Sequence, residues 1–272
     1  MSNITIVTAF FDLGRGNLPA MKHGRILPHH QHRSTDVYFE FFQNLAKVKN
    51  PMVIYTSHDL VDRIRNIRIV EGLGDITTVI GLDNFIPDDL QNYKERIEEV
   101  MANENYISNV NNPQLIEYWH SDYVLVNILK SYYVNYAFVA GSIKTDLAAW
   151  IDFGYVRTIE TLPKSLEWKY PFDKDKMHMF KMREIEPERP ISDIIKTGDV
   201  YTQGCHIVGG VSVWPTFMQL MIYNMNMLIQ NNMIDDDQTM MLMSYLSKPE
   251  MFELRYNSPD DWFRIFKDYN NA

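Results

Sequence analysis

Leu147-Ala148-Ala149-Trp150-Ile151-Asp152-Phe153-Gly154 is an apolar run that ends in a carboxylate, an aromatic ring and a glycine. A short continuous apolar run closed by turn residues is the pattern of a strand buried on both faces, so a strand is expected over 147–153. Upstream, the residues from Asp122 to Val139 predict one long helix that Gly141 ends. Earlier still, Ile4-Thr5-Ile6-Val7-Thr8-Ala9-Phe10-Phe11 is β-branched and aromatic and runs into Gly14 and Gly16, the mark of a first buried strand entering a loop. Ser34 or Thr35 can cap a helix whose apolar face is Val37, Tyr38, Phe41, Phe42, Leu45 and Val48, and Asn50-Pro51 stops it. Met52 to Thr56 is a second strand, a polar helical stretch follows from Asp59 to Asn66, and Thr77 to Leu82 begins a third βα unit whose helix opens at Pro87 and reaches about Met101. The Asn-rich segment Asn103 to Pro113 has no period and is expected as a loop. Strands alternating with helices imply an α/β fold with a mostly parallel sheet flanked by helices.

Beyond Gly154 the pattern loosens. Pro163, Pro171, Pro187 and Pro190 punctuate a polar, aromatic stretch suited to antiparallel or irregular structure. Order returns at Cys205 to Gly210, with a Met-rich helix from Pro215 to about Asn231 and another from Asp236 to Leu246. With no repeat and no long linker, the 272 residues are expected as one domain with two halves, 1–156 and a smaller lobe at 157–272.

The 35 acidic and 26 basic residues give a net charge of −9, so the whole surface attracts neither nucleic acid nor an anionic membrane, although local basic pockets are compatible with it. One cysteine, Cys205, excludes an internal disulfide, and no signal-like segment opens the chain. No apolar stretch reaches the roughly 18 residues of a membrane span. The expected location is cytoplasmic, with at most peripheral contact at the inner membrane.

In open α/β sheets ligands gather at the carboxyl ends of the strands. That rule directs Thr8 to Gly16, Thr56 to Asp59 and Asp152-Phe153-Gly154 to a common crevice, with Asp152 at its centre. A carboxylate at such a position needs a metal, a cation or several hydrogen bonds; the plainer reading is a turn cap. Asp235-Asp236-Asp237-Gln238 precedes a helix, where acids cap N–H groups, and their mutual repulsion can raise one pKa into a general base's range. The glycines of Gly204-Cys205-His206-Ile207-Val208-Gly209-Gly210 permit close approach of a ligand, with His206 and Trp214 as sugar contacts; a bulged strand is the alternative. Arg15 and Arg33 are candidate phosphate ligands, as is Lys130 despite a mid-helix place that suits solvation. His29, His30 and His32 lack metal-ligand spacing and read as a surface loop. The methionine cluster from Met225 to Met243 reads as core filler.

Ile4 to Gly16, Arg33-Ser34-Thr35 with Tyr38 and Phe39, Met52 to Thr56, and Ala149 to Tyr155 together resemble the bacterial HtrL/YibB family over nearly the whole chain. That family is associated with surface-polysaccharide and lipopolysaccharide gene clusters and looks like a group of GT-A glycosyltransferases. The resemblance implies a GT-A-like, Rossmann-like fold. It places Thr8, Ala9, Phe10, Phe11, Arg15, Arg33, Lys130, Asp152 and Gly154 around a nucleotide-sugar donor. His206, Gly209, Gly210, Trp214 and Gln238 fall on the acceptor side. Asp152 stands where GT-A enzymes put the DxD carboxylate that holds Mn²⁺ or Mg²⁺, but Gly154 occupies the place of the second acid.

The expectation is hexosyl transfer from a nucleotide diphosphate sugar, a UDP-sugar by this likeness, to a glycan or lipid-linked glycan of the cell surface. Asp152, with a divalent cation, would steady the leaving group, and Asp236 or Asp237 would take the acceptor proton. The rival readings are a sugar-phosphate nucleotidyltransferase, which normally has a Gly-rich basic loop that only Gly14-Arg15-Gly16 approaches, and a non-catalytic nucleotide-sugar or glycan-binding protein.

Overall fold

The structure is a computed structural model that describes residues 4–256 and 262–271. It begins with β1 (Ile4–Phe10), a small hairpin of β2 (Met21–Lys22) and β3 (Arg25–Ile26), then α1 (Thr35–Leu45), β4 (Met52–Ser57), α2 (Val61–Val70) and β5 (Thr77–Leu82). Four helices follow, α3 (Asn92–Met101), α4 (Glu104–Asn109), α5 (Ser121–Ile128) and α6 (Lys130–Val139), before β6 (Leu147–Ile151). The remainder holds β7 (Met177–Lys181), α7 (Ile191–Thr197), β8 (His206–Gly210), α8 (Trp214–Gln230), α9 (Asp237–Ser247), β9 (Phe252–Tyr256) and α10 (Ile265–Asp268).

Seven strands form one sheet in the order β5-β4-β1-β6-β8-β7-β9, in which β8 runs against both neighbours and every other pairing is parallel. The α/β class with a mostly parallel, helix-flanked sheet is therefore the observed one. Side-chain alternation divides the core in two. Val7, Val53, Ala148 and Trp150 face α5, α6, α8 and α9, whereas Ile6, Ile54, Ala149 and Ile151 face Phe39 and Phe42 of α1 and Phe266 of α10. Covering both faces is what makes β1 and β6 read as unbroken apolar runs. Burying Ile4, Ile6 and Val7 completely contributes about 1.5–3 kcal/mol apiece.

Local chemistry sets the element ends. The Ser34 hydroxyl accepts from the Val37 amide at the start of α1, worth about 1 kcal/mol at such a cap. Gly141 lies at φ 69°, the left-handed conformation that lets the chain leave α6.

Three expectations are corrected. The helix expected from Asp122 to Val139 is two helices, because at Leu129 the chain closes α5 and α6 starts afresh. The stretch from Asn103 to Pro113 contains α4, capped by the Asn103 side chain on the Asn105 amide. The strand through Trp150 stops at Ile151, since the Asp152 amide bonds Cys205 and the Tyr155 amide closes a turn on the Asp152 carbonyl. Residues 157–272 add β7, β8 and β9 to the same sheet as the first half, with β8 antiparallel to both neighbours.

Candidate active site

A cavity of about 680 Å³ opens at the carboxyl ends of β1 and β6 and is closed on its other sides by α5, α6 and the start of α9. The volume suits a molecule of nucleotide-sugar size, within the roughly 300–1,000 Å³ of small-molecule sites. Asp12 shapes the loop after β1 by accepting from the Gly14 amide at 2.8 Å and from the Thr35 hydroxyl at 2.7 Å. Gly16 must remain small there, since a Cβ would lie 3.1 Å from the Ser34 backbone. This loop brings Phe11, Leu13 and Arg15 to the cavity wall.

The floor is built around Lys130. Because α6 begins afresh at this residue, its side chain enters the protein instead of water, and only 6% of it is exposed. Its ammonium donates to Asp237 at 2.8 Å and to the Gly204 carbonyl at 2.9 Å, and lies 3.2 Å from Asp152. Burial opposes the charge, but Asp152, Asp237 and the hydrogen bond outweigh it and raise the Lys130 pKa, so the nitrogen stays charged. Gly204 makes the contact possible: a Cβ there would stand 2.6 Å from both Asp237 carboxylate oxygens. Asp152 also accepts from the Trp150 indole at 2.7 Å, which aims it at Lys130.

The three successive acids have separate surroundings. Asp235 is buried, accepting from the Thr239 hydroxyl at 2.7 Å and the Asp236 amide at 2.9 Å, and burial pushes its pKa up to about 6. Asp236 caps α9 through the Gln238 amide and borders the cavity; burial first, then Asp235, Asp237 and Glu117, hold its carboxyl well above the usual range. Asp237 is the partner of Lys130. Across from them Glu117, on a single turn at Ile116–Tyr118, also borders the cavity, and burial raises it to about 7 with a smaller push from Asp235.

The opposite wall is cationic. Arg15 lies 5.2 Å over the Tyr123 ring and bonds the Tyr38 hydroxyl. Arg157 is sandwiched between Phe41 and Phe263, 4.3 and 4.8 Å from their centroids, and its buried Nε has no hydrogen-bond partner among the described residues. Burial and then the charge of Arg33 lower the Arg157 pKa to about 10. Among the described residues, none of Arg15, Arg33 and Arg157 is within ion-pair distance of a carboxylate. Guanidinium groups that share a pocket without direct carboxylate contact among the described residues suit an anion.

Of the residues singled out in the sequence, Ala9, Phe10, Phe11, Arg15, Arg33, Lys130, Asp152, Gly154, Asp236, Asp237 and Gln238 border this cavity. The others do not. Thr8 points into the sheet and is fully buried. His206 is fully buried in β8 against Tyr155 and Phe180, and burial, with the charge of Lys130, lowers its pKa to about 3. Gly209 and Gly210 are glycine for packing, since a Cβ would strike the Met177 sulfur or the Lys174 carbonyl. Trp214 is fully buried, its indole donating to Ala148 and Gly209 carbonyls. These four are core, not ligand contacts. The Thr56 to Asp59 loop also misses the cavity: Thr56 bonds the Phe10 carbonyl and His58 packs on Gly81. Glu117, Tyr123 and Arg157 are pocket residues that sequence spacing did not mark.

A divalent cation at Asp152 does not fit the residues present. The Lys130 ammonium already lies between Asp152 and Asp237. A second acid at position 154 is sterically barred, because a Cβ on Gly154 would be 2.9 Å from the Tyr38 ring. Among the described residues, no group of three or more His, Cys, Asp or Glu side chains is arranged to hold a metal ion.

Fold and site together define an α/β protein with an arginine- and lysine-lined pocket at the carboxyl edge of its sheet. The family model described as "Bacterial protein of unknown function (HtrL_YibB)" matches residues 2–271, and the chain belongs to that HtrL/YibB family. It is 37% identical over 275 residues to Protein HtrL of Escherichia coli (strain K12), covering 99% of this chain and 93% of that protein. Among solved structures, the apo form of mouse xyloside xylosyltransferase 1 aligns with a TM-score of 0.40 at 11% identity, covering 92% of this chain and 83% of that one. The 4-diphosphocytidyl-2C-methyl-D-erythritol synthase of Anaerococcus prevotii DSM 20548 aligns with a TM-score of 0.40 at 11% identity, covering 98% and 92%. Among the described residues no helix is long and apolar enough to cross a membrane.

Proposed function

We propose that the protein is a glycosyltransferase that moves a hexosyl residue from a nucleotide diphosphate sugar to a hydroxyl of a cell-surface glycan or lipid-linked glycan. The observation that carries this reading is the meeting, in one cavity, of three arginines without a carboxylate partner among the described residues and a lysine held by two. A diphosphate matches that wall in charge, and the acids opposite match a sugar and its acceptor. The GT-A likeness of the sequence selects a UDP-sugar.

In the proposed step the bond between sugar C1 and the β-phosphate oxygen breaks, and its electron pair leaves with the nucleoside diphosphate. Lys130, Arg15, Arg33 and Arg157 meet the developing charge from fixed positions. Lys130 thus takes the place of a divalent cation, and Asp152 and Asp237 act by holding it. The acceptor oxygen bonds C1 and its proton passes to Glu117, whose pKa of about 7 suits a base near neutral pH. Asp236, kept protonated, donates to a sugar oxygen. In this division residues 1–156 provide the donor side and the base Glu117, while residues 157–272 provide the rest of the acceptor side together with Arg157 of the cationic wall.

The test is a thermal-shift series of nucleotide sugars with Mn²⁺ and with a chelator, followed by transfer assays. A selective shift that persists in chelator, and weakens in Arg157→Ala, is expected. No shift with any nucleotide sugar would end the reading. Pyrophosphate release from a nucleoside triphosphate and a sugar phosphate would make the protein a nucleotidyltransferase, and tight binding with neither hydrolysis nor transfer would make it a binding protein.

A further inference from the structure

The β2–β3 hairpin stands apart in charge and polarity from the rest of the molecule. In a chain of net charge −9, no acidic residue occurs between Asp12 and Asp36, while that stretch carries Arg15, Lys22, Arg25 and Arg33 and four of the eight histidines. His23 and Gly24 form the tip at φ 48° and 73°, the left-handed pair a two-residue hairpin loop requires. Met21 and Ile26 are paired across the strands and so share a face, and they are 55% and 75% exposed. Lys22 lies 4.9 Å over the Trp119 ring and Arg25 bonds the Asn111 carbonyl, which tie the hairpin to the body. The same stretch supplies Arg15, His30, Gln31 and Arg33 to the cavity wall.

We propose that this hairpin docks the protein on an anionic lipid bilayer, with Met21 and Ile26 entering the interface and Lys22 and Arg25 beside the headgroups. Charge complementarity selects the surface, since a local excess of positive charge on an acidic protein orients it toward negative lipid. The exposed apolar pair selects a bilayer over a soluble polyanion, which offers no apolar phase to enter. Docking in this way would hold the mouth of the cavity beside the lipid. The inference stands on the hairpin alone and does not depend on the transferase reading.

The experiment is co-sedimentation of the full chain with vesicles of pure phosphatidylcholine and of phosphatidylcholine containing about a third phosphatidylglycerol. Binding to the anionic vesicles and its decline with salt are expected. Arg25→Glu should weaken partitioning at least roughly fivefold, the effect of one cation near such a surface. Ile26→Asp paired with Met21→Asp should remove it while leaving the circular dichroism spectrum and the melting temperature unchanged. Equal binding to neutral vesicles, no binding to either, or wild-type binding by the double variant would overturn the proposal. So would retention on heparin without vesicle binding.

Discussion

A buried ammonium between two carboxylates is stable only as a set, so Lys130 is the residue at which stability and chemistry are most tightly joined. Lys130→Met leaves Asp237 buried without its partner, and a loss of about 3–5 kcal/mol is expected in urea unfolding, together with loss of transfer. Asp152→Asn is the cleaner probe, because the amide still accepts from the Trp150 indole and the site is partly open. That variant should fold normally and transfer far more slowly. Wild-type turnover would remove Asp152 from the mechanism. Glu117 supplies the pH test. Turnover should rise with pH through about 7 as its carboxyl ionises, and Glu117→Gln should flatten that limb and lower the plateau.

At the scale of elements, the close contacts of the turn after β6 and of α9 decide what the site can contain. Gly154→Asp would restore a second acid, yet its Cβ would meet Tyr38 on α1, so lowered stability and no gain in Mn²⁺ binding are expected by calorimetry. Gly204→Ala should drive Asp237 from Lys130, lowering both melting temperature and turnover. β1, β4 and β6 could be read from the chain because strands buried on both faces must be largely apolar, and the edge strand β5 because Thr77 to Leu82 is rich in β-branched residues. β7 and β9 could not, since Met177-His178-Met179-Phe180-Lys181 and Phe252-Glu253-Leu254-Arg255-Tyr256 mix polar and apolar residues without a clean period. Lys130 looked like a mid-helix surface lysine because helical spacing runs through Leu129, and the break that turns it inward has no glycine or proline to announce it. Glu117 and Arg157 lie in irregular chain, and only tertiary packing brings them to the cavity. His206 and Trp214 show the converse: residues with binding chemistry, used as core.

For the whole molecule, the concentration of acids around one cavity couples folding to pH. Folded Asp235 and Glu117 retain protons up to about pH 6 and 7, whereas the unfolded chain releases them near the ordinary carboxylate pKa. Over that interval the native state binds more protons, so their contribution is complete at low pH and is lost as pH rises through 6 and 7. The melting temperature should therefore fall between about pH 4 and pH 7 from these groups, and Glu117→Gln should remove the upper part of the decline. The Lys130–Asp237 contact spans 107 residues of sequence. During synthesis the strands through β6 emerge first, when Lys130 has Asp152 for company but not yet Asp237. Until α9 is made, the ammonium must remain in water and α6 cannot seat fully. A ribosome-bound chain halted before Asp235 would hold most of the parallel strands and no finished pocket, because Asp236, Asp237, Gln238, Trp262 and Phe263 of its lining are still to be made.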